Sequence, residues 1–258
     1  MLVAACATTG ADPANSDPTA PGPAQSLRVE VLATMPHDEQ LFTQGLEIAD
    51  RVLYEGTGGV GESVLRATEL RPGPRPGRTL SQAELPEPLF GEGITVAGDR
   101  VWQLTWKSGI AIERERDTLA ERRRMRYDGE GWGLCHDGSR LVHSDGSDRL
   151  TFRDPATFAP TGSVRVRRDG QPVTELNELE CVGGAVWANV WQTDRIVRID
   201  PGSGTVTGVV DAAGLLEPSQ RADAGVLNGI AAVPGTDQFL VTGKNWPSLF
   251  RVRFVPAG

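Results

Sequence analysis

Apolar residues along this chain come in short runs, and polar turn formers interrupt them at regular intervals. Phe90 to Lys107 shows the pattern most clearly. Ile94-Thr95-Val96-Ala97 and Val101-Trp102-Gln103-Leu104 flank Gly98-Asp99-Arg100. Two short apolar runs split by a Gly/Asp turn predict a β-hairpin. Glu92 enters the first strand between two glycines, and Trp106 leaves the second at the same end. An acid beside an aromatic wall, next to backbone that can be approached closely, is a piece of a small-molecule pocket.

The same outline recurs. Segments opening with a polar residue or Trp, a second small or polar residue, then Leu or Ile and an apolar run start at Gln44, Glu92, Trp132, Asn177 and Asn228, 40 to 51 residues apart. A second run follows each start, at Leu53-Tyr54, Val101-Trp102, Leu141-Val142, Val186-Trp187 and Phe239-Leu240. A third often comes after it, as in Leu65 to Thr68, Ile196 to Asp200 and Phe250 to Val252. Self-similarity at this period, with three or four strands per unit, is the signature of propeller blades. The fold expected is all-β, a five-bladed β-propeller over Leu27 to Gly258. A sandwich, the competing all-β reading, would not need an equivalent polar residue at each repeat start. In a propeller the first strand of every blade lines the axis, so Gln44, Glu92, Trp132, Asn177 and Asn228 should ring one end of it. Trp106, Trp191 and Lys244 follow second strands and return to that end. Trp102 and Trp187 lack this register and read as blade core.

Composition agrees: 39% of residues are hydrophobic, with 31 Gly and 18 Pro in 258, a balance that favours many short strands over long helices. The net charge of −8 argues against nucleic acid as the main partner, because phosphate binding needs a basic surface. The local cluster Arg122-Arg123-Arg124-Met125-Arg126 is flanked by Glu113, Glu115, Asp117 and Glu121 and reads as a solvated face. Met1 to Ser26 is expected to lie outside the fold. Val3-Ala4-Ala5-Cys6 resembles a bacterial lipobox, although only Met1-Leu2 precede it, and Ala7 to Ser26 has the composition of a disordered tether. The leading expectation is an envelope or periplasmic lipoprotein attached to the membrane through Cys6. A secreted or a cytoplasmic protein are the alternatives. No run of about 18 apolar residues is present to form a membrane-spanning helix.

Seven motifs resemble the plant-type glutaminyl-peptide cyclotransferases, a family also found in bacteria. They are Phe42-Thr43-Gln44-Gly45, Phe90-Gly91-Glu92-Gly93-Ile94-Thr95, Gln103-Leu104-Thr105-Trp106 and Glu130-Gly131-Trp132-Gly133-Leu134, then Asn177-Glu178-Leu179-Glu180, Asn189-Val190-Trp191-Gln192-Thr193-Asp194 and Thr242-Gly243-Lys244-Asn245-Trp246-Pro247. They run in unbroken order from about Leu41 to Phe254. The resemblance implies a five-bladed propeller, peptides or proteins with an N-terminal glutamine as partners, no cofactor, and cyclisation of that glutamine to pyroglutamate with loss of ammonia. It implies that Glu92 shuttles the proton, that Trp106, Trp132 and Trp191 form an apolar cage, and that Gln44, Asn177 and Lys244 orient the amine and amide. Substrate folding into a near-attack conformer and one carboxylate acting as base and then acid would suffice for this reaction.

Other readings stand beside this one. A non-catalytic propeller that binds peptide N-termini or another small ligand in the central funnel with the same cage would not need a proton shuttle. His37, His136 and His143 are scattered without ligand spacing, so no metal site is expected. Ser144 to Ser147-Asp148 reads as a tight turn rather than a calcium loop. Cys135 and Cys181 follow the starts of neighbouring blades, so they either pair as a disulfide or remain two buried thiols. A monomer is the simplest expectation, since propellers protect their sheet edges.

Overall fold

A computed structural model describes residues 22–71 and 77–258. Cys6 and most of the tether lie outside the described residues. Apart from a small hairpin, Arg167–Arg168 with Gln171–Pro172, the described strands group into antiparallel units of four. Unit one comprises Thr43–Ala49, Val52–Thr57, Val64–Glu69 and Thr79–Glu84. Unit two comprises Gly91–Ala97, Arg100–Thr105, Ile110–Glu115 and Glu121–Arg126. Unit three comprises Leu134–His136, Leu141–Ser144, Arg149–Arg153 and Pro160–Arg165. Unit four comprises Leu176–Val182, Ala185–Val190, Arg195–Ile199 and Val206–Asp211. Unit five takes Leu227–Ala232, Gln238–Gly243 and Ser248–Pro256 from the C-terminal part of the chain, and its outer strand, Gln25–Pro36, from the N-terminal part.

First strands of successive units lie against one another, and that of unit five returns to that of unit one. Apolar clusters fill the spaces between neighbours. Tyr54, Leu65, Ile94 and Val101 join units one and two; Trp102, Leu104, Leu134 and Leu141 join two and three. Cys135, Val142, Leu179 and Val186 join three and four; Trp187, Ile196, Ile230 and Phe239 join four and five. Leu46, Leu53, Ala231 and Leu240 close the circuit between five and one. The core is therefore a circle of seams, which is why the apolar runs are short and why Trp102 and Trp187 are buried, as the sequence leads one to expect.

Two details differ from, or sharpen, the sequence reading. The fold begins at Gln25 rather than Leu27, because Gln25 and Ser26 pair in parallel with Gly208 and Val209 on the edge of unit four. Both residues are exposed, so hydrogen bonding and not burial sets this boundary, and an apolar pattern cannot show it. The arginine cluster occupies the outer strand of unit two, where Arg122 meets Glu115 and Asp99 and Arg123 meets Glu113. Charge on an outermost strand discourages edge-to-edge association. Cys135 and Cys181 form a disulfide between the first strands of units three and four, with Cα atoms 5.4 Å apart.

Candidate active site

First strands crowded around an axis must satisfy backbone N–H groups that no neighbouring ladder reaches. Here carboxylates do so. Glu178 accepts from Leu46 N with one oxygen and from Ile230 N with the other, at 3.2 and 2.8 Å. Glu180 accepts from Ala232 N and Glu47 from Val96 N, each at 3.0 Å. These acids brace units one, two, four and five across the axis. Burial pushes the carboxyl of Glu47 up to about 7.

Above this brace the first strands are interrupted at the same point. In units one, two, four and five the register slips by one residue, between Thr43 and Gly45, Gly91 and Ile94, Leu176 and Leu179, and Leu227 and Ile230. An extra residue tips its side chain out of the pleat. Gln44, Glu92, Asn177 and Asn228 all fall within these slips. Trp132 holds the equivalent place just before the short first strand of unit three. Gly93 makes the crowding tolerable: a Cβ there would lie 2.7 Å from Gly133 Cα, Leu134 N and Trp132 O. Its N–H donates to Trp132 O at 2.8 Å.

The result is a cavity of about 260 Å³ lined by Gln44, Glu92, Trp106, Trp132, Asn177, Trp191 and Lys244, with Phe42 and Phe90. Every binding or catalytic candidate named from the sequence is on this wall. Asn228 is not: it stands behind Gln44, donating from Nδ2 to Thr43 O at 3.0 Å and to Gln44 Oε1 at 3.2 Å. Gln44 Nε2 in turn donates to Glu92 Oε1 at 2.9 Å.

Glu92 is 5% exposed. Burial raises its pKa well above the usual carboxylate value; the positive charge of Lys244 opposes this and the negative charge of Glu130 adds to it. Burial lowers the pKa of Lys244, and Glu92 opposes that shift. Lys244 Nζ lies 4.8 Å from the centre of the Phe42 ring. Asn177 Oδ1 is buried and has no hydrogen-bond partner among the described residues. A buried acceptor left open beside a cavity is a place for a donor on a ligand.

Phe42, Phe90 and Glu130 are absent from the sequence-derived site, yet their signal was present. Each stands two residues before a repeat start, at Gln44, Glu92 and Trp132. Glu130 lies outside the cavity lining but receives hydrogen bonds from the indoles of both Trp106 and Trp132. The Ser144 to Asp148 segment is a turn, as expected, and it has a further role. Gly146, at φ +80°, packs under Trp132, where a Cβ would come within 2.7 Å of the indole. Behind Gln44, His37 Nε2 and Thr43 Oγ1 both bond Glu55 Oε1, at 2.9 and 2.7 Å, and His37 Nδ1 lies 2.7 Å from Trp246 O. Among the described residues, no group of three or more His, Cys, Asp or Glu is placed to hold a metal ion.

This is a propeller-type protein in which an aromatic cavity encloses one buried carboxyl, Glu92, and the ammonium of Lys244. Comparison with known proteins narrows it. The family model for glutamine cyclotransferase matches residues 1–254. A glutaminyl-peptide cyclotransferase of Arabidopsis thaliana is 37% identical over 235 residues, covering 89% of this chain and 72% of the relative. The crystal structure of Myxococcus xanthus glutaminyl cyclase superposes with a TM-score of 0.81 at 38% identity, covering 91% of this chain and all of that one. BamB from Moraxella catarrhalis, at 13% identity and a TM-score of 0.50, shares the fold alone. The chain belongs to the glutamine cyclotransferase family.

Proposed function

We propose that this protein is a glutaminyl-peptide cyclotransferase, converting an N-terminal glutamine to pyroglutamate with release of ammonia. The observation that carries the reading is Glu92, a buried carboxyl of raised proton affinity inside an aromatic cavity of about 260 Å³. That volume is below the ~300–1,000 Å³ of sites for drug-sized ligands and suits a single terminal residue.

In the reaction the α-amine nitrogen attacks the γ-amide carbon, a ring C–N bond forms, and the bond to the departing nitrogen breaks. Glu92 takes the proton from the amine and returns it to that nitrogen, so the carboxylate is regenerated each turnover. The aromatic wall of Phe90, Trp106, Trp132 and Trp191 packs the glutamine side chain and excludes water, favouring cyclisation over hydrolysis. Asn177 Oδ1 supplies the open acceptor for a substrate N–H. Gln44 orients Glu92, and Lys244 balances negative charge on Glu92 or on the reacting carbonyl oxygen. None of these steps calls for a metal.

The five four-stranded units are read as five blades. The Cys135–Cys181 bond supports export to an oxidising compartment, in keeping with the lipobox-like Cys6. A monomeric enzyme acting on exported peptides or proteins follows from the same reading.

The test is ammonia release from a glutamine-initiated dipeptide, with EDTA present, by the wild type and by Glu92→Gln. The amide keeps an acceptor for Gln44 but cannot shuttle a proton, so turnover should fall by about 10²–10⁴-fold while the fold is retained. Turnover by the variant at the wild-type rate would sink the assignment of Glu92. A folded wild type that binds such peptides without turnover is instead a binding propeller.

A further inference from the structure

The aromatic wall is a chain of contacts with one break. Phe42 meets Phe90 at 6.1 Å between ring centres, Phe90 meets Trp106 at 5.5 Å, and Trp132 meets Trp191 at 5.4 Å. Trp106 follows the second strand of unit two and Trp132 precedes the first strand of unit three, and Glu130 spans the gap between these two indoles. A single oxygen, Oε2, accepts from Trp106 Nε1 at 2.8 Å and from Trp132 Nε1 at 3.0 Å. The other oxygen lies 3.8 Å from Lys107 Nζ, and that ammonium sits 4.1 Å above the Trp106 ring. The Glu130 side chain is 39% exposed, so this arrangement forms the rim of the cavity.

Neither indole N–H can turn to water without moving its ring, and rings that move change the shape of the cage. We propose that Glu130 is a positioning residue for cyclisation, clamping Trp106 and Trp132 at the spacing that grips the terminal glutamine. The proposal rests on the cyclase reading above.

The clamp has a second, electrostatic consequence. The ionisable groups that bear on Glu92 are Lys244, Glu130 and the Tyr127 phenol, and Lys107 faces Glu130 from the solvent side. Of these, Glu130 is the one whose negative charge helps Glu92 keep its proton. Neutralising Glu130 should lower the proton affinity of Glu92 and leave the indoles in place if an acceptor remains. A residue that served only to stabilise the rim would not produce that separation.

The experiment compares full-length Glu130→Gln and Glu130→Ala with the wild type, using a glutamine-initiated dipeptide across the neutral pH range. The near-ultraviolet circular dichroism of the indoles is recorded for each. Glu130→Ala should raise KM about tenfold, with a smaller change in kcat, and alter the indole spectrum, as expected for loss of hydrogen bonds to a charged group. Glu130→Gln should restore KM to within about twofold of wild type, because its amide oxygen can accept both N–H groups. It should also move the acid limb of the kcat/KM profile to lower pH. If the alanine variant does not fold, the glutamine variant carries the test through its pH profile. Wild-type KM and pH limb in both variants, or equal KM losses in both with an unmoved limb, would overturn the proposal. A wild type without cyclase turnover refutes the function instead, and an indole spectrum unchanged in Glu130→Ala then removes the clamp as well.

Discussion

Joining Cys135 to Cys181 closes a loop of 46 residues through the outer strands of unit three and ties together two first strands. In chain-entropy terms a cross-link over that separation restricts the unfolded chain by about 4 kcal/mol at 25 °C. For a domain of this size that is a melting shift of about 8–16 °C. The perturbation is the double variant Cys135→Ala/Cys181→Ala, with reduced wild type as an independent route to the same state. Reversible urea unfolding should show the loss in both, with little change in the native spectrum. The bond lies just beyond Trp132 and Asn177 along their chains, so loosening it should also raise KM more than it lowers kcat. The reasoning fails if Cys135 and Cys181 both react with a thiol reagent in unfolded, unreduced protein. It fails equally if reductant leaves the urea midpoint unmoved.

Three further outcomes are expected. Gly93→Ala should cost about 1–3 kcal/mol in urea unfolding, because its Cβ meets backbone that cannot turn aside; an unchanged midpoint would show that the first strands can spread. Lys244→Met removes the charge that opposes protonation of Glu92, so the acid limb of kcat/KM should move to higher pH, opposite to Glu130→Gln. His37 is 6% exposed in its side chain, and both its ring nitrogens face acceptors, Glu55 Oε1 and Trp246 O. Burial works against its charge, but those partners outweigh it and its pKa stands above the usual 6.5. A raised value means that the stability advantage over His37→Gln is fully present below pH 6.5 and is lost as pH rises through the folded-state pKa. A difference in melting temperature that stayed constant across that window would count against a charged His37.

Much of the architecture was legible because each seam between units is built from short alternating strands. Equivalent strands therefore carry equivalent letters. The cavity-lining positions were legible for the same reason: Gln44, Glu92, Trp132 and Asn177 share a register, and a closed ring turns register into proximity. What the pattern could not show is depth. Asn228 has the register of a wall residue but sits one layer back, because Gln44 from the next unit lies in front of it. Nor does periodicity announce a bulge, since one extra residue leaves the apolar spacing on either side intact. Glu178 and Glu180 stood in a recognised motif without a role. Only the three-dimensional arrangement reveals that they answer backbone donors on other units. Glu130 likewise stood in a recognised motif without a role, because it acts on two side chains and not on the cavity itself.

The outer strand of unit five, Gln25–Pro36, is contributed by the start of the described chain and pairs with Ser248–Pro256 near its end. This imposes an order on assembly. A ribosome delivers Gln25–Pro36 before the intervening units and Ser248–Pro256 after them, so the earlier strand must wait unpaired on that side while those units form. Contacts of such long sequence separation are slow to form and expose a sheet edge in the meantime. Glu178 of unit four reaches Ile230 N on unit five, and Lys244 enters the cavity from that same unit. A chain stopped short of that unit would therefore lack one wall of its pocket as well as its final seam. Completion of the cavity wall and closure of the ring therefore arrive together.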